Sequence, residues 1–133
     1  MVPFHQDAAF MGDQFLKLNV WTPLVACGES SPGLEVLREG SIKTLIRPTH
    51  LGDPDKTPYE QISLPPEWVK QNYGLSKLWH PKMTPGDVLV FSNFTVHRTY
   101  QTSDMKMERI SLELRCAALN KELKEENWRI AYI

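Results

Sequence analysis

Within the opening stretch MVPFHQD a histidine and a carboxylate stand two positions apart, His5 and Asp7. In an extended segment residues i and i+2 project to the same face, so both side chains can aim at one point while Gln6 turns away. Such a pair supplies two ligands of a metal site. It also occurs by chance in solvated loops, and needs a third group to become specific. His97 is the best third candidate: it ends the apolar run VLVFSNFTVH after the turn Pro85-Gly86-Asp87, where a side chain would emerge at the rim of a barrel. Two histidines and one carboxylate leave three adjacent positions open on an octahedral ion, a set that suits ferrous iron better than structural zinc.

A second constellation begins beyond His97, in ERISLELR. Strand alternation puts Arg109, Ser111, Glu113 and Arg115 on one face and Ile110, Leu112 and Leu114 on the other. An arginine and a hydroxyl at spacing two form a ready receptor for a carboxylate, because guanidinium grips carboxylate bidentately and the hydroxyl adds a donor. The competing reading is a polar row facing solvent. Arg115 is a second possible anion anchor if the strand register differs. His50 and His80 lie in proline-flanked loop contexts, as exposed or capping histidines would.

These groups must be positioned by a small scaffold. The chain has 133 residues, room for about one domain and one apolar core. Its 15 basic and 16 acidic side chains are interspersed, which argues against nucleic acid or an anionic membrane as the main partner. No apolar run approaches the roughly 18 residues of a membrane helix, and no basic-then-apolar leader opens the chain, so a cytoplasmic protein is the expectation. Cys27 and Cys116 share no metal-ligand spacing with a histidine and read as reduced, packed side chains.

Along the chain, QFLKLNVWTPL at 14–24 alternates like a strand with one buried face, and CGESSPG reads as a loop. LEVLREGSIKTLIRP holds a short strand. From 49 to 68 the density of Pro, Gly and Asp predicts an ordered surface excursion, with one helical turn beginning at PPEWVKQNYG. VLVFSNFTVH and RISLELRCAAL are further strands, and the tail NKELKEENWRIAYI ends in a strand-like piece. Short strands and Pro/Gly turns favour an all-β sandwich or barrel.

The ordered set HQD, LNVWTPL, SPGLEVLREGSIK, PGDVLVFSNFTVHRT and RISLELR resembles the Fe(II)- and 2-oxoglutarate-dependent oxygenases of the phytanoyl-CoA dioxygenase type over nearly the whole chain. The resemblance implies a double-stranded β-helix, or jelly roll, as a single domain over 1–133. It implies Fe(II) on His5, Asp7 and His97, and 2-oxoglutarate held by Arg109 with help from Ser111. Gln6 would lie near the cosubstrate and Trp21 at the pocket wall or in the core. Arg98 and Tyr100, beside the third ligand, are candidates to touch substrate.

The implied reaction joins decarboxylation of 2-oxoglutarate to succinate with hydroxylation of a small organic substrate by molecular oxygen. Halogenating relatives carry a small residue where this chain has Asp7, so the carboxylate favours hydroxylation. Family members usually have a long segment before the His-x-Asp motif, where this chain has four residues. The expectation is therefore an N-terminally shortened barrel with exposed edges, completed as a homodimer or domain-swapped assembly. The alternatives are a non-catalytic jelly-roll module that binds metal or assembles with a partner, and a cupin-like metalloenzyme without 2-oxoglutarate; Arg109 with Ser111 speaks against the last.

Overall fold

The computed structural model describes residues 1–117; the strand-like piece expected in the tail lies outside the described residues. In chain order the elements are α1 (Ala8–Met11), β1 (Lys17–Pro23), β2 (Gly33–Leu37), α2 (Pro58–Ile62), α3 (Pro66–Tyr73), a 3₁₀ turn (Leu75–Lys77), β3 (Leu78–Trp79), β4 (Leu89–Ser92), β5 (His97–Tyr100) and β6 (Ser111–Ala117). The strands form two antiparallel sheets, ordered β4-β1-β6 and β3-β2-β5. This is the all-β, jelly-roll class of architecture.

Trp21 and Phe91 from the first sheet and Leu34 and Val36 from the second meet in one core, joined by Cys27 and Met83. A second cluster lies behind the other sheet: Leu37 and Val96 pack with Phe4, Leu64 and Val69, and Ile42, Ile46 and Trp68 close over them. Every residue of β2 is consequently buried. The excursion after β2 is thus the outer cover of this sheet.

The excursion is more helical than its proline content suggests. Thr57 caps α2 in a capping box with Glu60, and Pro58 occupies the first turn, where its missing N–H costs nothing. Pro66 likewise opens α3, which runs eight residues rather than the single turn expected. No helix of the described residues is long and apolar enough to cross a membrane.

The reading of strand polarity is corrected on β1. On β1 the buried positions are Asn19, Trp21 and Pro23, while Leu16 and Leu18 are exposed. On β6 the polar row, with Ser111, Glu113 and Arg115, lines the open cavity beside the triad, the face used in the carboxylate-receptor reading, and Leu112 and Leu114 lie on the other face. Alternation identifies two faces but not which one the fold encloses. VLVFSNFTVH is also not one strand: β4 ends at Ser92, a turn follows, and His97 begins β5.

Candidate metal centre

The scaffold for His5 comes from the far end of the chain. His5 and His97 exchange both backbone hydrogen bonds, each at 3.0 Å, as a directly opposed antiparallel pair. Val2 accepts from the Thr99 amide at 3.0 Å and Phe4 from that of Leu64 at 2.7 Å, so residues 2–5 run beside β5 as an added strand. Opposed residues of an antiparallel pair share a face. The two imidazoles accordingly sit with ring centroids 4.3 Å apart.

Asp7 reaches the same point by a different route from the extended one expected. Its backbone is helical, φ −61° and ψ −23°, at the N-terminus of α1. Its carbonyl accepts from Phe10 and Met11. Its side chain makes no cap hydrogen bond and turns inward, placing Oδ1 3.2 Å from His5 Nε2 and 3.7 Å from His97 Nε2. All three side chains are buried, and their ligand atoms lie within 4.8 Å of one another.

The ring orientations are set from behind. His5 Nδ1 stands 2.8 Å from the carbonyl of Pro3, and His97 Nδ1 stands 2.9 Å from that of Thr95. A carbonyl oxygen can only accept, so both Nδ1 atoms carry a proton, which leaves each Nε2, the nitrogen facing Asp7, as the one available to ligate a metal. Burial, reinforced by the neighbouring His5, lowers the pKa of His97 to about 4, which leaves the ring neutral at neutral pH. For Asp7, burial pushes upward, but the contact with His5 and the nearby Arg115 guanidinium bring the net shift below the usual range.

Asn19 Nδ2 donates to Asp7 Oδ2 at 2.6 Å, fixing the carboxylate, while the buried Asn19 Oδ1 has no partner among the described residues. Two imidazole Nε2 atoms and one carboxylate converge on one point. This set fits a divalent cation with three facial ligands.

The triad opens onto a cavity of about 160 Å³ whose wall includes Trp21, Phe10, Tyr59, Arg109, Ser111, Glu113 and Arg115. Arg109 donates to the carbonyl of Gly33 at 3.3 Å. That carbonyl is positioned by a tight loop: Gly28 has φ +86°, and a Cβ there would meet the Pro81 oxygen at 2.3 Å. Ser111 pairs with Pro23, Glu113 with Trp21 and Arg115 with Asn19, so the polar row runs from the Arg109 end toward the metal ligands. Arg115 lies 3.8 Å from Asp7 Oδ2 and 3.0 Å from Glu113 Oε1. Burial raises the pKa of Glu113 against the pull of Arg115.

Other sequence candidates have different surroundings. Gln6 turns away from the cavity, as the alternation suggested, and is not placed for a cosubstrate. Its Nε2 donates to Phe94 O at 2.6 Å and Thr44 O at 3.1 Å, and its Oε1 accepts from Ile46 N at 2.7 Å. Tyr100 stacks on His80 at 4.0 Å, outside the cavity, because the pleat alternates it away from His97 and Thr99. Arg98 reaches the cavity rim but is held by Glu35 at 2.5 Å and lies 4.4 Å over Phe4.

Trp21 serves both expected roles, lining the cavity and joining the core. His50 is half exposed beside Asp53, and His80 pairs loosely with Glu35. Cys27 is buried and Cys116 exposed, both as free thiols. Phe10, Tyr59 and Asn19 were not legible as site residues; only their three-dimensional neighbours distinguish them.

A scan against models of known protein families finds no match. Among solved structures, EvdO2 from Micromonospora carbonacea var. aurantiaca aligns with a TM-score of 0.58 and 21% identity, over 98% of this chain and 51% of that one. EvdO2 complexed with 2-oxoglutarate aligns with a TM-score of 0.55 and 20% identity, over 88% of this chain and 45% of that one. The chain spans about half the length of the structures it matches, and at these identities what it is seen to share with them is the fold.

Proposed function

We propose that this chain is an Fe(II)- and 2-oxoglutarate-dependent oxygenase domain that hydroxylates a small organic molecule. The observation that carries the reading is one cavity holding a buried His-Asp-His triad whose ligand atoms converge and, along the same wall, Arg109 with Ser111. The fold shared with a protein crystallised with 2-oxoglutarate supports it.

In this reading His5, Asp7 and His97 hold the iron. When bound, iron and 2-oxoglutarate supply the oxidising chemistry, with succinate and carbon dioxide as by-products. Arg109 takes the distal carboxylate of the cosubstrate and Ser111 adds a hydrogen bond. Trp21 and Phe91 wall the cavity and limit water. The Nδ1 contacts to Pro3 and Thr95 orient both histidines so that Nε2 is the ligating atom.

Succinate formation from 2-oxoglutarate, followed by NMR under oxygen with added Fe(II), tests this. Turnover should be lost in Asp7→Ala. Arg109→Ala should raise the 2-oxoglutarate concentration required by at least about tenfold, since a charge-assisted pair contributes about 1.5–3 kcal/mol. A non-catalytic metal-binding module is the second reading, favoured by Glu113, a carboxylate on the same row as the proposed carboxylate receptor. Metal binding with no succinate from the folded protein would select it.

A further inference from the structure

The cavity holds more charge than a metal and an oxo acid require. Of the arginines on its wall, Arg98 is engaged by Glu35, and Arg109 is anchored on Gly33 at the end assigned to 2-oxoglutarate. Arg115 stands four residues beyond Ser111 along β6, roughly 13 Å away, against the metal ligand Asp7. Its close partner is Glu113, through NH2 and Oε1 at 3.0 Å. Both side chains are partly exposed, and among the described residues neither is saturated: a carboxylate accepts through two oxygens and a guanidinium donates five hydrogen bonds.

The charge balance decides what could engage this pair. Asp7 and Glu113 are negative and Arg109 and Arg115 positive, so they cancel. A divalent cation and dianionic 2-oxoglutarate also cancel. A net anion drawn to Arg115 would strip Glu113 of its counter-charge, and a net cation drawn to Glu113 would strip Arg115. Only a ligand bearing both charges re-pairs both groups when it displaces their mutual contact.

We infer that the primary substrate is a small zwitterion of the amino-acid type, its carboxylate taken by Arg115 and its ammonium by Glu113. Phe10 and Tyr59, which line the same cavity, leave apolar surroundings for its side chain. The inference rests on the assignment of Arg109 to 2-oxoglutarate made above.

The test uses the protein loaded with Zn(II), which is redox-inert, and saturated with 2-oxoglutarate. Binding of norvaline, leucine and methionine is compared by saturation-transfer NMR with that of their N-acetyl derivatives, which are anions, and their methyl esters, which are cations. The free amino acids should bind about tenfold or more tightly than either derivative. Arg115→Gln and Glu113→Gln should each abolish that preference, and Arg115→Lys should keep part of it.

Equal binding of the N-acetyl compounds or esters, no binding of any free amino acid, or a preference that survives both Arg115→Gln and Glu113→Gln would overturn the inference. Titration of the zinc-loaded protein with 2-oxoglutarate reports separately on the underlying reading. Amino-acid preference without 2-oxoglutarate binding would refute that reading and leave the receptor standing; 2-oxoglutarate binding without the preference would do the reverse.

Discussion

His97 is held neutral by its surroundings, and that has a consequence for stability. Its pKa falls from an ordinary 6.5 to about 4 in the fold. Between those values the unfolded chain binds the proton and the native chain does not, so stability falls as pH drops from about 6.5 to 4. The shift corresponds to about 3 kcal/mol. The lowered pKa of Asp7 acts in the same direction, since protonating it costs native contacts. Denaturant unfolding of the metal-free protein across this window should show the loss, and His97→Gln should flatten the slope; a wild-type curve that is flat from pH 6.5 to 4 would contradict the buried, neutral assignment.

At this scale the ligand types and the Arg-x-Ser spacing were legible, because they are local in sequence. The helical turn at Asp7, the two Nδ1 contacts and the Asn19 clamp were not, because each depends on chain segments brought together only by folding.

Among the elements, the segment following β2 is tied to the site by one amide. Gln6 sits between His5 and Asp7 and reaches Thr44, Ile46 and Phe94 with a fully buried side chain. Gln6→Ala would leave buried backbone groups unsatisfied and should cost about 2–3 kcal/mol of unfolding free energy. Equilibrium urea unfolding measures this. Because Gln6 faces away from the cavity, the folded variant should bind metal with unchanged affinity; a variant of unchanged stability but weakened cosubstrate binding would instead return Gln6 to the site.

The strands themselves were legible from alternation, since period-two patterning is a property of the pleat. Their inward faces were not. Leu16 and Leu18 look like core residues in sequence, yet the enclosed face of β1 is the one carrying Asn19 and Trp21. A functional cavity needs polar groups inside, which inverts the usual rule of apolar inward.

At the scale of the whole molecule, the described residues cover the two sheets unequally. The second is packed on both sides, whereas the first presents Leu18, Val90, Leu112 and Leu114 outward, each between 42% and 55% exposed. These are register neighbours, since Leu18 faces Cys116 and Val20 faces both Val90 and Leu114 across the strands. A continuous apolar face of this kind marks an interaction surface. A second copy is the expected occupant, and sedimentation velocity at micromolar concentration should show a dimer that Leu18→Lys with Leu114→Lys converts to monomer. A wild-type monomer at that concentration would count against self-association on this face. The class of fold was legible from strand length and turn chemistry, but the bare outer face was not, because exposure is a property of the assembled sheet.

The most direct test of the proposed chemistry is the visible absorption of the protein mixed anaerobically with Fe(II) and 2-oxoglutarate. The metal and cosubstrate assignments predict a charge-transfer band that requires both additions, disappears in Asp7→Ala and weakens in Arg109→Ala. A folded, iron-loaded protein that develops no such band on addition of 2-oxoglutarate would contradict the account.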